Sequence, residues 1–388
     1  MVRVRVGMEV LRDRDFRPLW GMRVGAITNP TGRTYEGEHL IDLLRAHPKV
    51  RLIALFGPEH GLRGDRPDGE AVESGRDPET RVQVWSLYGD ARKPTPEMLE
   101  GLDALVFDVQ DVGARFYTFL ATMSLAMEAA FEAGMPFFAL DRPNPITGVH
   151  VEGNVLDPRF SSFVGPHPIP IRHGMTLGEL SGMIAREWLS AQGELQVVRM
   201  EGWGRRMWWE ETGWPWRSPS PNMPSPSAAL CYPGTCLAEG TNLSEGRGTE
   251  RPFEQVGAPW IRGEELACEL NRRGLEGVRF EPVAFIPESL PSAPHPKYKG
   301  IRCEGVRFRV MDRKAFRPVR TGLHMLAVVR ERFPDFAFLE DRFDRLAGTD
   351  RLRKALQEGK DPDEIAAGWE GEVEAFLRLR EGYLLYKR

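Results

Sequence analysis

Apolar residues in the first two hundred positions gather in short runs separated by longer amphipathic stretches. RVGAITN (23–29), RLIALFG (51–57), DALVFDVQ (103–110), PFFALD (136–141) and ELQVVRM (194–200) are apolar almost throughout, as strands covered on both faces are. VQVWSLYG (82–89) reads as a further short strand. Between them GEHLIDLLRAH (37–47), FLATMSLAMEAAFEAG (119–134) and TLGELSGMIAREWLS (176–190) have helical spacing. TPEMLEGL opens on Thr95 and Pro96, a helix start, and Thr176 with Glu179 three residues on forms a capping box. Strands alternating with helices predict an α/β fold built on a mostly parallel, doubly wound sheet.

The pattern changes near Gly263. EELACELNRRG reads as a helix, VRFEPVAFIP and GIRCEGVRFRVMD as strands, RTGLHMLAVVRERFP as a helix, and the tail from Asp350 as two more helices. We therefore expect residues 1–260 to form the larger unit and 261–388 a smaller α+β unit. Tryptophans and prolines crowd the stretch 203–260, which has few regular elements, and long irregular segments inside compact proteins are often functional.

Composition narrows the function. A net charge of -4 and a pI near 6.1 give no basic face for nucleic acid. No apolar run approaches the ~18 residues of a membrane helix. The start, MVRVRV, lacks the apolar run of a signal peptide, so a cytoplasmic location is expected. Cys231, Cys236, Cys268 and Cys303 stand apart without zinc spacing, so free buried thiols and no metal are expected. Neither a P-loop nor G-x-G-x-x-G is present, which leaves a nucleotide cofactor unsupported.

Strand ends of a parallel sheet share one edge, where open α/β sheets bind ligands. Asn29, then Glu59 and His60, then Asp108, Gln110 and Asp111, then Asp141, Arg142 and Asn144 follow successive strands. Each has a plain structural reading: Asn29 before PTG as a turn, Asp111 as a cap, Asp141 before RPNP as loop architecture. Glu59 fits such readings least, because glutamate is a poor turn former and this one stands between Pro58 and His60. His60 could tune Glu59, bind a sugar hydroxyl or hold the loop. Arg115 and Tyr117 add a cation and a phenol, unless Arg115 merely ties a loop. A second dense segment, YPGTCLAEGTNLSEGRGTERPFEQVGAPW (232–260), sets Glu239, Asn242, Glu245, Arg247 and Glu250 among glycines. Trp203, Trp208, Trp209, Trp214, Trp216 and Trp260 suit either sugar stacking or the core. Acids, amides, aromatics and arginines without a nucleophilic-serine motif point to glycoside hydrolysis, which needs a protonated carboxyl at the leaving oxygen. A metal-dependent hydrolase using Asp108 and Asp111, and a non-catalytic sugar-binding protein, are the rival readings.

NPTG, FGPEHG, SLYG, FDVQDVGARFYTF, LDRPNP, HGMTLGEL, PSPNMP, YPGT and EGTNLSEGRGTERPFEQVGAPW occur in this order. With these motifs the chain resembles, over nearly its whole length, the DUF1343 family of NamZ-type exo-β-N-acetylmuramidases. The resemblance implies a Rossmann-like N-terminal domain, a C-terminal auxiliary domain and an active site in the cleft between them. It implies removal of terminal N-acetylmuramic acid from the non-reducing end of peptidoglycan fragments, a small glycan substrate, without a cofactor. Glu59 of GPEHG takes the place of the general acid. Asp108, Asp111 and Glu245 are candidates for the second catalytic role, which the substrate's own 2-acetamido group could also fill, with Asp111 or Tyr117 orienting it. Arg115 and Arg247 are the expected partners of the lactyl carboxylate. Asn29, His60, Tyr117, Asn144, Asn242 and Glu245 complete the expected substrate contacts. Peptidoglycan lies outside the membrane, so imported fragments are the expected substrate unless a leader preceded Met1.

Overall fold

The structure is a computed structural model that describes residues 3–62, 75–89 and 91–386. Its strands, in chain order, are β1 (Arg23–Thr28), β2 (Arg51–Gly57), β3 (Gly75–Arg76), β4 (Gln83–Ser86), β5 (Ala104–Asp108), β6 (Phe137–Leu140), β7 (Glu152–Val155), β8 (Pro170–Arg172), β9 (Leu195–Val198), β10 (Gln255–Ala258), β11 (Val278–Phe285) and β12 (Cys303–Val310). The large sheet runs β3-β4-β2-β1-β5-β6-β9, and every neighbouring pair in it is parallel except β3 with β4. Without the short antiparallel β3, the order is that of a dinucleotide-binding sheet, with the reversal of strand order between β1 and β5.

The strands are apolar throughout because both faces are covered. Val24 and Ala26 of β1 and Val106 of β5 face one core, which also holds Val6, Leu40 and Trp203. Ile27, Phe107 and Phe137 face the other, which also takes the helix Phe119–Glu132. Thr176 opens the helix Leu177–Glu187 through the expected capping box, accepting from the Glu179 N–H while Glu179 accepts from its own.

The smaller sheet is antiparallel, in the order β10-β12-β11. β10 lies before residue 261 but pairs with β12 beyond it. The tail after Asp350 forms three helices, Arg351–Glu358, Pro362–Ala367 and Glu370–Arg380, where the apolar pattern suggested two. The helix Pro226–Thr235 was hidden by its own residues, since it holds Pro233 and Gly234. It packs on the helix Pro318–Arg332 so closely that a Cβ added at Gly322 would come within 2.6 Å of the Gly234 carbonyl oxygen. Both units share one core, in which Phe107 and Phe137 of the large sheet belong with Val256, Phe280 and Phe343 of the smaller unit.

Candidate active site

β2 ends at Gly57, and the next four residues make a tight turn closed by the Gly61 N–H on the Pro58 carbonyl at 2.8 Å. His60 occupies its third position at φ +71°, in the left-handed region that a residue with a Cβ rarely enters. Strained backbone of this kind persists where its surroundings hold it, commonly at functional sites. The turn presents Glu59 inward, with only 9% of its surface exposed. The Thr118 hydroxyl, at the start of the helix Phe119–Glu132, donates to Glu59 Oε2 at 2.6 Å.

Glu59 and His60 line a cleft of about 620 Å³ walled by both units. Its opposite side is an ion cluster that joins the second dense segment to Lys297 and Arg342 of the smaller unit. Arg247 Nη1 lies 2.6 Å from Glu239 Oε1 and 3.2 Å from Glu245 Oε1. Arg342 Nη2 lies 2.9 Å from Glu239 Oε2, and Lys297 Nζ lies 3.3 Å from Glu245 Oε2. With Glu59 counted, the lining sets five cations, Arg92 and Arg345 among them at the exposed rim, against three carboxylates. The cleft therefore favours an anionic ligand. Its aromatic lining includes Tyr88, Tyr117, Phe163, Tyr232 and Phe253. Arg247 lies over the Phe253 ring at 4.9 Å and Arg92 over Phe163 at 4.7 Å. Cys236 also lines the cleft, but burial pushes its thiol well up, so it stays protonated and is no nucleophile.

Of the polar residues singled out from the sequence, Glu59, His60, Tyr117, Glu239, Glu245 and Arg247 meet in this cleft. Asp108, Asp111, Asn29, Asn144 and Asn242 lie outside its lining and have structural partners. Asp108 is fully buried, and both its oxygens are taken by Arg142, at 2.5 and 2.9 Å. Asp111 accepts the Gly113 N–H at 2.7 Å and faces His173 at 3.6 Å. Asn29 makes the turn its sequence suggested, accepting the Thr31 N–H at 3.0 Å, and donates to the Pro219 carbonyl. Asn144 bridges the Met175 carbonyl and the Ile146 N–H. Asn242 bridges the Asp335 carbonyl and the Ala337 N–H.

Arg115 was expected to face a carboxylate and instead is completely buried. It donates to the carbonyls of Asn154, Ile169, Leu346 and Ala347. Burial lowers its guanidinium to about 9, still charged at neutral pH. Leu346 and Ala347 end the helix Glu340–Ala347, whose carbonyls favour a cation, so Arg115 pins the second unit to the first. The tryptophans take the core reading: Trp203, Trp208, Trp209 and Trp214 are buried, Trp216 and Trp260 pack against the cores, and none lines the cleft.

Sequence reading missed Thr118, Lys297, Arg342, Arg92 and Arg345. Thr118 was within reach, since it follows Tyr117 in FYTF. The three from the second unit carried no local signal, because a lysine or arginine on a helix or loop normally faces water.

Family models for the exo-beta-N-acetylmuramidase NamZ match residues 24–227, by its N-terminal part, and 230–386, by its C-terminal part. The chain is 45% identical over 386 residues to the peptidoglycan beta-N-acetylmuramidase NamZ of Bacillus subtilis, covering 99% of this chain and 92% of that protein. Two crystal structures of DUF1343 family proteins from Bacteroides fragilis are similar in fold. One has a TM-score of 0.92 and 37% identity over all of both chains. The other has a TM-score of 0.78 and 32% identity, covering 100% of this chain and 99% of that one.

Proposed function

We propose that this chain, which belongs to the NamZ exo-β-N-acetylmuramidase family, uses the cleft between its two units to release terminal N-acetylmuramic acid from the non-reducing end of peptidoglycan fragments. The observation that carries the site assignment is Glu59, held by Thr118 on a rigid turn, facing a cleft with excess positive charge. Glu59 is the general acid that protonates the leaving glycosidic oxygen. Arg247, backed by Arg342 and Lys297, receives the lactyl carboxylate, because a guanidinium offers paired donors to that group. Tyr88, Phe163 and Phe253 supply flat apolar surface for the sugar ring.

The second role falls to Glu245, the carboxylate among the candidates that lines the cleft, or to the substrate's 2-acetamido group oriented by Tyr117. Glu245→Gln separates them: loss of turnover with binding retained assigns the carboxylate, and retained turnover assigns the acetamido group. Action in the cytoplasm, on fragments brought into the cell, belongs to the same proposal. Among the described residues no helix is long and apolar enough to cross a membrane.

The deciding experiment compares 4-nitrophenyl β-N-acetylmuramic acid with the N-acetylglucosaminide that lacks the lactyl group. Release of 4-nitrophenol from the first, with release at least roughly tenfold weaker from the second, is expected for a site that pairs Arg247 with the lactyl carboxylate. Equal release from both would discard the lactyl pocket, and release from neither would discard the substrate.

A further inference from the structure

Lys297 lies in the loop PHPKYKG, between β11 and β12, and its side chain is 24% exposed. Its Nζ donates toward the carbonyl oxygens of Ala238 at 3.0 Å, Glu239 at 3.2 Å, Thr241 at 2.8 Å and Leu243 at 2.8 Å. Glu245 Oε2 completes the shell at 3.3 Å. Five oxygens thus surround a group that has only three N–H bonds to give. The neighbouring Tyr298 hydroxyl donates to the Asn242 carbonyl at 2.6 Å. The segment 238–243 therefore turns carbonyl after carbonyl toward one loop. Carbonyl oxygens converging on one point repel one another unless a positive charge sits among them, and rings of backbone carbonyls are how proteins hold a dehydrated monovalent cation. An ammonium is a compact point charge of the same kind.

We propose that Lys297 is a built-in cation that folds the 238–245 turn, and is thereby a positioning residue for Glu239, Glu245 and Arg247. The cage it fills takes K⁺ or NH₄⁺ once the side chain is removed. What the turn is positioned to do rests on the muramidase reading above; the cation chemistry of the cage does not.

The test uses Lys297→Ala and Lys297→Met in the full chain. Melting temperature and muramidase kcat/KM are measured in KCl, NH4Cl and tetramethylammonium chloride at one ionic strength. The alanine variant should melt lower and lose up to about 100-fold in kcat/KM, the scale set by misplacing groups that align a substrate. K⁺ or NH₄⁺ should restore both in a saturable way, since an ion bound only by the folded state stabilises it. Tetramethylammonium, too large for the cage, should restore neither. The methionine variant fills the space with hydrocarbon and should respond equally to all three salts. An alanine variant indifferent to the cation overturns the proposal, as does one insoluble in every salt while the methionine variant folds. Rescue of melting without rescue of turnover overturns the positioning role. Should the muramidase assay fail for the unaltered protein, the melting series alone still tests the cage.

Discussion

Glu59 is set by its immediate neighbours. Pro58 restricts the backbone entering the turn, His60 accepts a left-handed φ, Gly61 closes the turn, and Thr118 reaches across from another element to fix one carboxyl oxygen. Glu59→Gln keeps the size and the acceptor for Thr118 but cannot give up a proton. Its melting temperature should match the unaltered protein while kcat falls by about 10²–10⁴, the usual contribution of general acid catalysis. Turnover within twofold of the unaltered enzyme would remove Glu59 from the mechanism. Thr118→Val deletes only the anchoring hydroxyl. It should lower kcat about tenfold with KM little changed, the cost of one hydrogen bond, and Thr118→Ser should recover most of the loss. A change confined to KM would mean that Thr118 binds substrate instead.

Elements carry these residues only as well as they pack on one another. The YPGT motif ends the helix Pro226–Thr235 against the helix Pro318–Arg332, where Gly234 and Gly322 let the two backbones touch. At Gly234 an added Cβ would overlap the Pro318 carbonyl oxygen, which is backbone and cannot swing away. Gly234→Ala should therefore cost about 1–3 kcal/mol, the usual penalty of overpacking, read as a lower urea midpoint at unchanged slope. An unchanged midpoint would show that the crossing has slack. Arg115 works at the same scale, joining the carbonyls of β7 and the loop before β8 to the end of the helix Glu340–Ala347. Arg115→Leu leaves four buried acceptors without their donor and should destabilise by about 3 kcal/mol or more by the same measurement.

At the scale of the molecule, the sheet has the strand order of a dinucleotide-binding fold, but polar protein groups fill its switch point. Asn29, Thr31, Asp108, Gln110 and Arg142 bond to one another or to nearby backbone there. The cleft opens one strand away, beyond β2, where the second unit closes over the sheet. The tail also folds back onto this edge. The Tyr386 hydroxyl donates to Asp141 at 2.5 Å, beside Thr176 and the Gly178 N–H. Burial is the main force that pushes the Asp141 carboxyl from 3.8 up to about 7. The folded state therefore holds a proton that the unfolded chain releases. This contribution to stability is complete below about pH 4 and lost as pH rises through about 7. Asp141→Asn should flatten the fall in urea midpoint across that window. An unchanged slope would place the pH dependence elsewhere.

The amino-acid pattern alone yields the alternation of strands and helices, the capped helix at Thr176, the place of Glu59 after a buried strand and the family motifs. These are local, so the information for each lies within a few residues. It could not sort the polar residues at the strand ends. Glu59 and Asp108 both follow a buried strand, but one faces a cleft and the other is consumed by Arg142, a residue 34 positions away. Arg115 and Arg247 likewise look alike in sequence. One meets carbonyls brought from residues 154, 169, 346 and 347, the other two carboxylates in the cleft. What surrounds a charge decides what it does, and here the surroundings are assembled from separate strand ends and loops and, at Arg115, from both units.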